Sequence, residues 1–285
     1  MKNDINKRAM LVTLKMKKFG LLKTNDKIKN EYSISKGVSV SALRTSIELL
    51  DDRYVRPLIK SFNAVRTFHY DYTLPFAIGK ERILSTKKHS EYTKGYNDLR
   101  DVAMNEKVKF LGMYDEALKD AEDRLHCSVD DDSLFNPNLY PTLDQMTNDY
   151  WTIDVEFGTI PDVNHILLDL PTATIDKIKD DSKAELQRKI DVSVSALKTE
   201  LKNRVDETIK RLGKTKVRKG ALDLIGRFAD DIAKFDMFDD DAIFKIANLG
   251  KTLAASTDAE LLNDDDDEKA KITDKLKALK DSVLL

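Results

Sequence analysis

The chain has 285 residues, 41% of them apolar and 34% charged, with a net charge of −2. Such a length fits one large domain or two ordinary ones, and the near-neutral balance excludes a global pull toward nucleic acid or an anionic membrane surface. Ten glycines and six prolines favour long helices over a many-turned β-fold, and one cysteine, Cys127, excludes an intramolecular disulfide.

Residues 1–16 mix Lys and Asp with apolar side chains and show no signal-peptide core. No apolar run approaches the roughly 18 residues of a membrane span. A cytoplasmic protein without membrane contact is the expectation.

In chain order, Met10, Val12, Leu14 and Met16 alternate, which reads as a strand or as the first turn of a helix. Residues 26–32 read as a short helix. From 39 to 68, Val40, Leu43, Ile47, Leu50, Tyr54, Leu58, Phe62 and Val65 recur at three- and four-residue steps. That spacing predicts a helix, which Pro57 should kink or divide at Arg56. Residues 66–76 are aromatic, carry Pro75 and read as an ordered loop packing its own side chains. A helix over 86–125 would bury Tyr92, Tyr96, Leu99, Val102, Phe110, Tyr114, Ala117, Ala121 and Leu125. Turn residues fill 126–150, with one or two helical turns at 142–148.

Residues 150–157 form the clearest strand. Trp151, Ile153, Val155 and Phe157 share one face, and Thr152, Asp154 and Glu156 the other. With a short run at 165–170 it suggests a hairpin. A lone hairpin is marginal, so 10–16 is its natural third strand. After Pro171, apolar positions Ile175, Ile178, Leu186, Ile190, Val194, Leu197, Leu201, Val205, Ile209 and Leu212, with Ser182 counted as one polar step, recur about every 3.7 residues. This is a rod on the order of 55 Å long, stable only when its stripe is covered by another helix or subunit. Gly213 ends it, a basic turn follows at 214–219, and further helices are expected at about 221–235, about 239–249 and at the C-terminus behind an acidic run at 264–268. The resulting fold class is α+β, predominantly α: long antiparallel helices with a small antiparallel hairpin or three-stranded sheet (about 10–16, 150–157 and 165–170). The division along the chain is 1–171 and 172–285.

The sequence holds no C-x-x-C, H-E-x-x-H, phosphate-binding glycine loop or G-x-S-x-G elbow. His126 and Cys127 are adjacent, so their side chains diverge in a helix. A non-enzyme with no catalytic residue, no metal and no cofactor is therefore expected. Within 66–80, Arg66, His69, Tyr70, Tyr72 and Lys80 would make a recognition surface, or Phe68, Tyr72, Leu74 and Phe76 would plug the end of a helical hairpin. Basic clusters at 15–18, 87–88 and 214–219 would serve nucleic acid only if they converge on one face.

Residues 64–76, Ala-Val-Arg-Thr-Phe-His-Tyr-Asp-Tyr-Thr-Leu-Pro-Phe, resemble the RTFHYxxTLPW signature of a phage and prophage family of unknown function. Residues 131–142, Asp-Asp-Ser-Leu-Phe-Asn-Pro-Asn-Leu-Tyr-Pro-Thr, with the strand to Phe157, Ile160-Pro161-Asp162 and Leu168 to Pro171, are similar to its second block. The long helix and the segment 220–233 are similar to its C-terminal part. Phe76 stands where the family usually has Trp, and 78–85 is only loosely alike. Genes of this family often neighbour those for MoxR-like AAA+ ATPases and von Willebrand factor A-type proteins. The resemblance thus implies a phage accessory protein working beside a remodelling ATPase. Its expected contact surfaces, toward that ATPase or a second copy, are Arg66, Phe68, His69, Tyr72, Leu74, Pro75 and Phe76, and on the long helix Leu186, Ile190, Val194, Leu197, Leu201 and Val205. Nucleic-acid binding or the countering of host defence is the alternative.

Overall fold

A computed structural model describes residues 5–76, 80–126, 134–162, 171–213, 236–238, 248, 252 and 266–284. The fold is α+β and predominantly helical. It divides into two compact units that interleave along the chain, unlike a single cut at 171/172. The first unit gathers Met1–Thr13, Tyr70–Thr93 and Glu156–Leu285, and the second Leu14–His69 and Lys94–Val155.

The first unit is built around a four-stranded sheet. After a short α1 (Ile5–Arg8) comes β1 (Ala9–Lys17). Later strands are β4 (Leu74–Pro75), β5 (Arg82–Ser85) and β6 (Thr152–Thr159), in the order β4-β5-β1-β6. β1 and β5 are antiparallel, with Ala9 opposite Ser85 and Val12 opposite Arg82, and β4 adds antiparallel to β5 through Leu74–Ile83. The strands expected at 10–16 and 150–157 are thus present, and β1 and β6 are neighbours. The expected strand at 165–170 lies outside the described residues. β4 and β5 were not anticipated, because each is too short to show an alternating pattern.

Among the described residues, two long helices also lie in this unit: α7 (Thr172–Leu212) and α8 (Asp266–Leu284). The 41 residues of α7 span about 60 Å. Its expected bounds hold. The C-terminal helix is longer than expected, because the acidic run contributes Asp266 and Asp267 to its first turn, where carboxylates favour the helix dipole. Helices expected at 221–235 and 239–249, and the basic turn at 214–219, lie outside the described residues. Leu197, Val205 and Leu212 of α7 are buried in one cluster with Ile272 and Leu276 of α8, Leu74, Phe76, Ile83 and Ile160.

In the second unit β2 (Leu22–Thr24) pairs antiparallel with β3 (Ser46–Glu48) around α2 (Asp26–Lys36). The Asn25 side chain caps α2 by accepting from the Ile28 N–H at 3.0 Å, and Gly37 ends it at φ 62°. The helix expected from 39 begins only at Asp52: α3 covers Asp52–Tyr72. Asp51 Oδ1 accepts from the Arg53 N–H at 2.9 Å and starts it. Pro57 falls in the second turn and does not divide the helix, since its missing N–H removes one bond from a helix held by a long buried face. That face is Tyr54, Val55, Leu58, Phe62, Val65 and His69.

The helix expected over 86–125 is two, α4 (His89–Gly112) and α5 (Tyr114–Leu125), separated at Met113 (φ −107°, ψ 5°). Short α6 (Leu143–Asn148) carries a reciprocal Thr142–Gln145 capping box. Lys107 Nζ donates to the carbonyls of Thr147 (2.7 Å) and Tyr150 (2.9 Å), tying down the turn that follows. The next residue, Trp151, has φ 54° and is buried edge-on against Phe62 and Phe110. It therefore precedes β6 instead of sharing its face with Ile153, Val155 and Phe157. Of the 131–142 block, the described part from 134 is held by Tyr140, whose hydroxyl donates to the Leu49 carbonyl at 3.0 Å, and by Tyr114, which donates to that of Pro141 at 2.7 Å. Burial pushes the Tyr114 hydroxyl up to about 12.

Candidate functional site

The segment 66–76 is not a loop. Arg66 to Tyr72 complete α3, because Phe62, Val65 and His69 extend the buried stripe at helical spacing. The helix ends where Pro75 forces Leu74 into extended backbone, and the chain becomes β4. Arg66 is exposed on α3, Phe68 is half-buried beside Gly95, and His69 is 1% exposed. The half-buried Tyr72 hydroxyl donates to Glu91 Oε1, and Lys88 pairs with the other oxygen of that carboxylate at 2.7 Å. Tyr70 is exposed with the Arg82 guanidinium 4.5 Å over its ring, and Lys80 is exposed.

Beyond the helix the backbone is clamped. Arg82 donates to Thr73 Oγ1 at 2.6 Å and to the Thr73 carbonyl at 2.5 Å. Burial lowers the Arg82 pKa, opposed by Tyr70. Ser193 on α7 donates to the Pro75 carbonyl at 2.6 Å. Leu74 and Phe76 are buried against the α7 stripe, Leu197 and Val205 among their cluster and Leu186 and Ile190 packed on its margin. Two segments singled out separately in the sequence, β4 with Phe76 and the apolar face of α7, thus meet within one unit. Val194 is half-buried, and the side chain of Leu201 lies outside the described residues.

Where this packing runs out toward the N-terminal half of α7, a groove of about 500 Å³ opens. Its apolar wall is Phe76, Pro161 and Leu186, and its lips are Asp162, Asp181, Ser182, Glu185, Arg188 and Lys189. Glu185 pairs with Arg188 at 3.1 Å and lies 4.0 Å from the Lys189 ammonium, which stands 5.8 Å over the Phe76 ring. Asp181 has no ion pair among the described residues. Further along the stripe Ile175 and Ile178 are half-buried. The lips were missed in the sequence. Glu185 and Lys189 flank Leu186 at i,i+4 spacing, a signal that reads first as helix solvation.

The groove has the size of a ligand pocket, but its lips are carboxylates and cations on an open helix face, of which Glu185, Arg188 and Lys189 are mutually paired. That arrangement suits recognition of an apolar anchor with a charged flank. Among the described residues no group of three or more His, Cys, Asp or Glu is placed to hold a metal ion. Nor is any described helix long and apolar enough to cross a membrane. His126 is exposed, and Cys127 lies outside the described residues. Basic residues 15–18 belong to the second unit and 87–88 to the first.

No protein-family model, curated protein or solved structure matches the chain.

Proposed function

We propose that the chain is a non-enzymatic phage accessory protein that acts by protein–protein contact, with the groove on the N-terminal half of α7 as its docking site. One observation carries this reading. The C-terminal half of α7 is covered by α8 and β4, whereas the groove leaves half-buried Leu186 and exposed Pro161 open to solvent between charged lips. Its partner would insert an apolar side chain against Leu186 and Pro161 and present a basic residue to Asp181. The resemblance to the phage family supplies the partner class, a MoxR-like AAA+ ATPase, and a second copy of the chain is the competing occupant.

Light scattering of the chain alone, and mixed with a MoxR-like AAA+ ATPase, tests the proposal. A defined complex that Leu186→Glu disrupts is expected. A strict monomer that binds no ATPase, or a complex indifferent to Leu186→Glu, would refute it.

A further inference from the structure

A second surface lies wholly in the second unit and does not depend on the groove. Lys18, at the end of β1, donates from Nζ to Asn63 Oδ1 of α3 at 2.9 Å and sits 5.8 Å over the Phe62 ring. Asn63 lies between Lys60 and Arg66, three residues from each, and positions three apart are neighbours on a helix surface. Lys60 and Arg66 are exposed, and Lys18 is half-buried. Adjacent Lys17 is exposed, with its ammonium 5.0 Å over the Tyr150 ring. Among the described residues, no carboxylate pairs with Lys17, Lys18, Lys60 or Arg66.

Such an arrangement is costly for the protein alone. Like charges repel, and burial of an ammonium against an aromatic ring strips water from it. Both effects act on Lys18: desolvation first, then the Arg66 charge, lower its pKa. Its neutral acceptor, Asn63, takes one of three ammonium donors and supplies no counter-charge. Some cations elsewhere have a carboxylate partner, Arg53 with Asp120, Arg56 with Asp52 and Lys88 with Glu91, and others, such as Lys23 and Lys36, have none among the described residues. What distinguishes this surface is that its unpaired cations lie together around Asn63.

We propose that Lys18, Lys60 and Arg66 form a seat for the phosphate backbone of a single nucleic-acid strand, with Lys17 at its edge. Lys60 and Arg66 stand six positions apart on α3, about 9 Å along its axis, within the reach of neighbouring phosphates on one strand. The half-buried Tyr150 ring beside Lys17 offers an aromatic edge next to the phosphate track. The asparagine holds the central lysine in register, so the three charges are pre-positioned.

Fluorescence anisotropy of the full chain with a labelled 20-nucleotide single-stranded DNA tests this. Three neutralised phosphates give a log–log salt slope of about −2, so affinity should fall about 15-fold between 50 and 200 mM monovalent salt. The triple variant Lys18→Gln, Lys60→Gln, Arg66→Gln should bind at least tenfold more weakly with a nearly flat salt dependence. The paired-cation control Lys88→Gln should bind like the parent. Arg66→Glu, a change at a fully solvated position, gives the same direction of effect if the triple variant does not fold. Absence of binding at 50 mM salt, an unchanged triple variant, or equal competition by polyglutamate would each overturn the proposal.

Discussion

If α8 is what covers the stripe of α7, truncating its central leucine must destabilise the first unit. Leu276 is 1% exposed and clusters with Leu197, Val205 and Leu212. Leu276→Ala therefore loses transfer free energy plus a cavity term, about 2–5 kcal/mol for such a site. A helix near the surface relaxes partly into the void, so about 3 kcal/mol is the working figure. With a urea m-value of about 2–3 kcal/mol/M, the midpoint should fall by about 1 M. Circular dichroism is the appropriate signal, because α7 and α8 are helices of the first unit whereas Trp151 reports on the second. Lys277→Ala, one residue on, removes only an exposed 3.3 Å pair with Asp274 and should stay within about 0.5 kcal/mol. A Leu276→Ala shift no larger than that of Lys277→Ala would refute the assignment of α8 as the cover.

Leu186→Glu, half-buried at the groove wall, should leave the circular dichroism spectrum unchanged while weakening partner binding at least tenfold by titration calorimetry. Ser193→Ala removes a buried donor to the Pro75 carbonyl and should cost about 1 kcal/mol in urea unfolding, with faster amide exchange at β4. Tyr114 has a folded pKa of about 12 against 10 unfolded. Between these values the native state holds the proton more tightly, so its contribution is full below pH 10 and is lost as pH rises toward 12. Tyr114→Phe should therefore show a smaller fall in stability between pH 9 and 11.5 than the parent, followed by urea titration at each pH. Equal slopes for the two proteins would count against a buried, hydrogen-bonded hydroxyl.

The long elements were legible because their buried faces are long. The stripe of α7 repeats over many turns, and the strand read from the alternation at 150–157 is present as β6, although Phe157 is exposed. Short elements were not legible. β4 has two residues and β5 four, and their strand character comes from pairing with each other and with β1 rather than from local pattern. The aromatic segment misled for a definite reason: Arg66 to Tyr72 were read by composition, whereas Phe62, Val65 and His69 already continued the helical spacing. Half of the candidate contact surface was visible as residue types, but its partition was not. Leu74 and Phe76 are buried against α7, Arg66 stands apart on α3 beside Lys18, and the groove lips follow from which stretch of α7 is left uncovered.

That partition changes what the long helix implies. A 41-residue amphipathic rod invites the inference that a partner must cover it. Here Ile272 and Leu276 of α8, with Leu74 and Phe76, already bury the stretch from Leu197 to Leu212, and Lys280 pairs with Asp206 at 2.6 Å on its flank. Among the described side chains, the groove around Leu186 in the first half is where the apolar stripe stays open. An obligate coiled-coil dimer would need a continuous apolar seam along the rod; a short open groove with charged lips suits a transient contact with one inserted anchor. On this reasoning the contact should be salt-sensitive through Asp181 and abolished by a charge at Leu186, while a charge at exposed Val192, 44% accessible on another face of the same helix, should leave it intact. Equal loss from Val192→Glu would mean that the whole rod, not the groove, meets the partner.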